Sequence, residues 1–267
     1  MMRWLKAYPT LLKVSFAVAL EYRIVTAIWI LTGVLPLLMM MVWISITEQS
    51  PSGEVNGFDR LDFISYFLAV TLIRRLVGVW IIWDLDEEIR LGKLSFRLLK
   101  PLDPAHHYLT AILGDKPFEM MWVAPPVIIA AVLLGAQYDF SGLHIPFALL
   151  AVFGAILIDF FVQMFIGTLG FWLTQVLSFA HIWFFLRVFF SGWVIPLAMF
   201  PAGLQNVLQF LPFRYLLSFP AEILLGQLNS ADIAFGFAIQ LGWLVALFGV
   251  YRWFWHRGLK RFTAVGA

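Results

Sequence analysis

The chain contains no cysteine, and charge is scarce, at 13% of 267 residues. Without cysteine there can be no disulfide, no thiolate metal site and no cysteine nucleophile. No GxxxxGK[ST] occurs, so the chain cannot cradle ATP phosphates as a P-loop protein does. If ATP drives its work, a separate subunit holds the ATP and Mg and carries out the hydrolysis. No HExxH occurs either, and the His106-His107 pair has no further ligand at metal spacing, so no metal site, no catalytic residue and no resident cofactor are expected. The few basic residues form no soluble basic face, which argues against nucleic acid as a partner.

Apolar residues are abundant. The chain is 62% hydrophobic, with 27 Phe and 12 Trp, and its mean hydropathy is +0.88. A single small core cannot bury that much apolar surface, because burial grows slowly with chain length. A bilayer supplies the missing apolar solvent, and aromatic residues are common in spans and at headgroup level. The composition predicts an all-α integral membrane protein, folded as one transmembrane domain over 1–267.

About 20 apolar residues are needed to cross the hydrocarbon core as a helix. Six segments qualify: 24–46, 61–83, 117–137, 146–173, 182–200 and 233–255. Ahead of them, Trp4, Leu5, Tyr8, Leu11 and Leu12 recur at helical spacing, with Lys6 and Lys13 able to snorkel toward headgroups, so the 1–22 arm reads as an interfacial helix, the other reading being a frayed arm. Arg3, Lys6 and Lys13 interrupt any cleavable signal. Lys and Arg gather in the N-terminal arm, the 84–116 loop and the C-terminus, whereas the opposite connections hold only Arg60 and Arg214. The positive-inside rule then predicts that both termini are cytoplasmic.

Two regions interrupt the apolar pattern. Nine of the twenty residues from Asp84 to Asp103 are charged. Read as one helix over 84–100, Asp86, Arg90, Lys93, Arg97 and Lys100 share an arc, with Leu85, Ile89, Phe96 and Leu99 beside it. Asp84, Asp86, Glu87 and Glu88 lead, and the Lys93–Arg97 spacing leaves the positive face without internal neutralisation. This is either a solvated loop or a docking element. Further on, Pro196, Pro201, Pro212 and Pro220 break 188–230 into pieces too short to span, so 201–230 is expected to dip in from the outer surface and return, the other reading being a kinked long helix plus an ordinary loop.

Charges inside spans are functional candidates, because a bilayer makes them costly. Arg74 and Arg75 lie within the second span. Asp159 and Gln163, four apart in the fourth, share a face. Asp159 reads either as part of a pathway or as a hydrated or intermolecularly paired acid. These four are the candidate translocation-path residues.

The charged window ending in RLLKPLDP, with LPFRYLLSFPAEILLGQ (211–227) and SFAVALEYR (15–23), resembles the ABC-2 type permeases, the membrane subunits of a class of bacterial ABC transporters. It looks most like the small six-span branch that includes proposed viologen exporters. The resemblance implies a permease of the bacterial inner membrane, multi-pass, exporting its substrate as a dimer with an identical or sister permease. It also implies two copies of an ABC ATPase. The 84–100 segment would be the coupling helix seated in that ATPase, through Asp84, Asp86, Glu87, Glu88, Arg90, Lys93 and Arg97. The rival reading is a stand-alone proton-coupled carrier or a membrane enzyme using Asp159. No internal repeat of the kind carriers often show is visible.

Overall fold

A computed structural model of the chain describes residues 8–21, 34–140 and 142–262. Among these residues every regular element is a helix, apart from one bridge that closes a turn between Val55 and Phe58. The helices are α1 (Tyr8–Glu21), α2 (Leu35–Gln49), α3 (Arg60–Val77), α4 (Ile82–Arg90), α5 (Leu94–Leu98) and α6 (Pro104–Leu134). They continue with α7 (His144–Thr168), α8 (Leu177–Phe190), α9 (Ala202–Leu208), α10 (Ser218–Leu224) and α11 (Ser230–Leu259).

Local chemistry sets the helix ends. A reciprocal capping box opens α3: the Asp62 N–H donates to Asp59 Oδ1 at 2.8 Å, and the Asp59 N–H donates to Asp62 Oδ2 at 3.0 Å. Pro104 opens α6 under an Asp103 cap, and Gly135 ends it in the left-handed region at φ 72°. Asn229 caps α11 by accepting from Ala231 and Asp232, each at 2.9 Å. α6 runs unbroken through Pro117, Pro125 and Pro126. It therefore begins well before the expected start of the third span and shortens the charged loop.

Four stretches are long and apolar enough to cross a membrane: Arg60–Arg90, Pro104–Leu134, His144–Phe171 and Ser230–Leu259. They correspond to the expected second, third, fourth and sixth spans. Of the expected first span, 24–33 lies outside the described residues and the rest falls in α2. For the fifth, α8 supplies 14 residues, a rise of about 21 Å at 1.5 Å per residue, which is short of a full crossing. Its chain then turns at Gly192, where φ is +92°. Residues 201–230 form the short helices α9 and α10 with a 3-10 turn, Arg214–Leu216, between them. Residues 1–7 and 22 of the expected interfacial arm lie outside the described residues, and 8–21 form α1, packed on α6.

α7 is the centre, with α3, α4, α10 and α11 packed on it. Two glycines let neighbours approach this closely. A Cβ on Gly154 would stand 2.6 Å from Gln240 Cδ of α11, and one on Gly167 would stand 2.5 Å from Leu85 Cδ2 of α4. The outer faces of α6 and α11 expose Ile129, Val132, Leu133, Leu241 and Val245. Apolar surface of that extent suits lipid rather than water.

Candidate functional site

The second span does not run through. α3 stops at Val77 and α4 starts at Ile82, so the backbone between them needs partners that lipid cannot give. Side chains from α6 and α7 supply them, and two from α8 hold the Asp159 carboxylate in place. From α6, Lys116 Nζ donates to the carbonyls of Gly78 at 2.6 Å and Arg75 at 3.0 Å. From α7, Gln163 Nε2 donates to the Val79 carbonyl at 2.5 Å, while Asp159 Oδ2 accepts the Val79 N–H at 3.2 Å. From α8, Arg187 Nη1 donates to Asp159 Oδ2 at 2.5 Å and Trp183 Nε1 donates to Asp159 Oδ1 at 2.9 Å.

This cluster is deeply placed. Asp159 is 0% exposed and Arg187 6%. Glu119 stands 3.4 Å from Lys116 Nζ as its counter-ion. Asp159 is thus neutralised within its own chain rather than by a neighbouring chain. Lys116, counted in the sequence as a loop cation, is a buried cap.

Arg74 and Arg75 lie on the last turn of α3, just before the break. The Arg74 guanidinium lies over the Trp193 ring, 4.6 Å from its centroid. Aromatic rings continue outward from there. Trp193 meets Phe184 edge-on with centroids 5.8 Å apart, Phe184 lies 5.9 Å from Trp80, and Trp80 lies 5.3 Å from Trp83. Val79, Trp80, Trp83, Trp183, Phe184 and Arg187 border a shallow cleft here.

The charged window folds differently from the single helix the sequence suggests. Gly92, at φ +69°, turns the chain between α4 and α5. That reversal carries the acids back onto the bases. Lys93 Nζ donates to Glu87 at 2.5 Å, and Arg97 forms a forked pair with Glu88 at 2.6–2.9 Å. Tyr108 donates to Glu88 as well, at 2.6 Å, and Arg90 lies 3.6 Å from Asp86. The expected unneutralised positive face is therefore largely paired. Burial works against the Arg97 charge, but Glu88, Tyr108 and Asp84 together outweigh it, so the Arg97 pKa stands above the ordinary arginine value.

The apolar strip also divides. Leu85 and Ile89 are buried against α7 and its extension, whereas Phe96 is 71% and Leu99 84% exposed, with Leu91 exposed beside them. Asp86 is buried. This end of the molecule presents the apolar tip together with the exposed charges Asp84, Glu87, Arg90, Lys93 and Lys100.

At the other end, α9, α10 and the Arg214 turn bound a cleft of about 280 Å³ with Phe58, Tyr66 and Pro196. The forked end of Arg214 holds Glu222 at 2.6 Å, and Gln205, Gln209 and Gln227 line the same space. Tyr66 ties α3 to this region, donating to the Gly192 carbonyl at 2.9 Å.

Asp159, Gln163, Arg74 and Arg75, separated by about 85 residues of chain, therefore meet at one break. Sequence reasoning missed Lys116, Trp183 and Trp193 and left Arg187 without a role. The available signal was the count of cations inside apolar segments against the lone Asp159.

A family model described as an ABC-2 family transporter protein matches residues 33–266 of the chain. No curated protein matches it.

Proposed function

The chain belongs to the ABC-2 family of transporter proteins, and we propose that it is the permease subunit of an ATP-driven exporter, working as a dimer with an identical or sister permease. It is a multi-pass membrane protein, a transporter membrane subunit rather than an enzyme. Two copies of a separate ATPase hold ATP and Mg, and their closure drives the permease pair between inward- and outward-open states. In this reading it sits in a bacterial cytoplasmic membrane with both termini in the cytoplasm, an orientation that the charge bias of the connections supports.

The observation that carries the coupling role is the tip at α4–α5. Phe96 and Leu99 are held out to solvent while the acids around them are tied to Lys93 and Arg97. A soluble loop obeying only the positive-inside rule has no need of exposed Phe and Leu on an ion-paired frame. Such a frame costs little to keep ordered in a groove, and central apolar anchors carry most interface energy. Leu85 and Gly167 then connect the tip rigidly to α7, so that force on the tip reaches the bundle centre. The paired residues Glu87, Glu88, Arg90, Lys93 and Arg97 shape the tip, and the exposed ones make the contact. Residues 201–230, short helices on the far side, fit a re-entrant element near the exit.

A proton-carrying role for Asp159 receives no support, since its carboxylate is shared among Arg187, Trp183 and Val79. The test is to tag the chain in its host, extract it in mild detergent and identify what co-purifies. A P-loop ATPase in the complex is the expected result. A chain that comes out alone in several mild detergents, with no nucleotide-dependent partner, overturns the reading.

A further inference from the structure

We propose that Arg74 binds the head of an anionic amphiphile, a phosphate or carboxylate on a lipophilic body, at the break in the second span. This names a substrate class for the permease reading and takes its transport meaning from it, but binding itself requires no ATPase.

The polar residues around the break divide into those with a structural duty and one without. Lys116 and Gln163 cap carbonyls, Asp159 caps Val79, and Arg187 neutralises Asp159. Arg74 does none of this. Its Nε is buried with no acceptor, and among the described residues no carboxylate lies within ion-pairing distance of it. What holds it is the face of Trp193. A guanidinium in an apolar helix bundle is costly unless paired, and a ring on its face leaves its forked edge to be filled by two oxygens of a phosphate or carboxylate.

The surroundings choose the sign and the body of the ligand. Asp159 is engaged by Arg187 at 2.5 Å and Glu119 by Lys116 at 3.4 Å, and among the described residues no carboxylate is matched to Arg74 in this way. A cationic ligand would meet the Arg74 charge as repulsion and an anionic one as attraction. Trp193, Phe184, Trp80 and Trp83 form the aromatic run beside it, and Trp80 is 48% exposed. That run suits a hydrophobic tail or ring, not a hydrated small anion. A flat dication, which the resemblance to proposed viologen exporters would favour, has the wrong charge for this site.

The ligand has two possible sources, the headgroup of an anionic bilayer lipid or an exported amphiphile, and its recognition chemistry is the same for both. The full-length chain in dodecyl maltoside is titrated with dodecyl phosphate and with dodecyltrimethylammonium, which share a tail and differ in head charge, following the unfolding midpoint and the saturation curve. The expected result is saturable stabilisation by the phosphate alone. Arg74→Gln should weaken it by about tenfold or more, the scale of one charge-assisted hydrogen bond, while Arg60→Gln, at an exposed outer pair, leaves it unchanged. Should Arg74→Gln fail to fold, the head-charge preference of the wild type and the retained binding of Arg74→Lys decide the matter. Equal affinity for both heads, or phosphate binding undiminished in folded Arg74→Gln, overturns the proposal.

The titration is then repeated in nanodiscs of phosphatidylcholine with and without phosphatidylglycerol. Competition by phosphatidylglycerol assigns the site to a lipid headgroup, and persistence assigns it to an exported anion. Both outcomes support an anion site. Because no ATPase or nucleotide is present, failure here is separable from failure of the permease reading.

Discussion

Asp159 on α7 and Arg187 on α8 form a buried ion pair, Oδ2 to Nη1 at 2.5 Å, and that pair closes the break in the second span. The carboxylate oxygen that accepts from Arg187 also accepts the Val79 N–H. One residue therefore neutralises a cation and satisfies a broken helix at once. The arrangement is a structural keystone.

Asp159→Asn should destabilise the chain by about 3–5 kcal/mol, because it leaves Arg187 charged, buried and unpaired. Replacing both partners, Asp159→Asn with Arg187→Met, should recover a large part of that loss. Thermal unfolding in detergent, read by size-exclusion chromatography, checks it. A single variant as stable as wild type would remove the ion pair from the account.

Lys116→Met orphans the carbonyls of Gly78 and Arg75 and should cost about 1–3 kcal/mol for the unsatisfied acceptors. Its signature is local. Hydrogen exchange should quicken at residues 77–85 and stay unchanged in α11. Uniform acceleration across the molecule contradicts a local capping role.

Gly154→Ala puts a methyl 2.6 Å from Gln240 Cδ and should lose about 1–3 kcal/mol through overpacking of α7 on α11. Gln240→Ala makes room but gives up its hydrogen bond to the Ala151 carbonyl, made at 2.9 Å. The double variant should be more stable than the sum of the single losses implies, a coupling that a double-mutant cycle measures. Strict additivity excludes the contact.

Phe96→Ser with Leu99→Ser should lower co-purification of the ATPase about tenfold or more, as loss of buried anchors does, with the unfolding midpoint unchanged. Glu88→Gln should instead loosen the turn, since Arg97 and Tyr108 both bind that carboxylate. Reversal of the exposed Glu87–Lys93 pair should have the smallest effect, as surface pairs contribute little. Normal ATPase capture by the double serine variant moves the docking site elsewhere.

The sequence made several features legible because they are local or cumulative. Apolar runs of bilayer length placed four full spans, and the prolines at 201, 212 and 220 marked where only short helices form. The charge window was visible as composition, yet its pairing was not. Gly92 can turn the chain or merely weaken a helix, and only packing of Leu85 into the Gly167 notch decides between them. The same limit hid the role of Lys116, which reads as a loop cation until α6 is seen to begin at Pro104.

Sequence alone determined that this is an all-helical membrane protein with cations gathered on one set of connections and a few costly charges in its spans. Those properties follow from how each segment partitions between water and lipid, one segment at a time. Tertiary structure alone decided which charges meet. A break of four residues in one helix needs hydrogen-bond partners that only neighbouring helices can supply, and supplying them engages Lys116, Asp159, Gln163 and Arg187, while Arg74 lies over the face of Trp193 with no ion pair among the described residues.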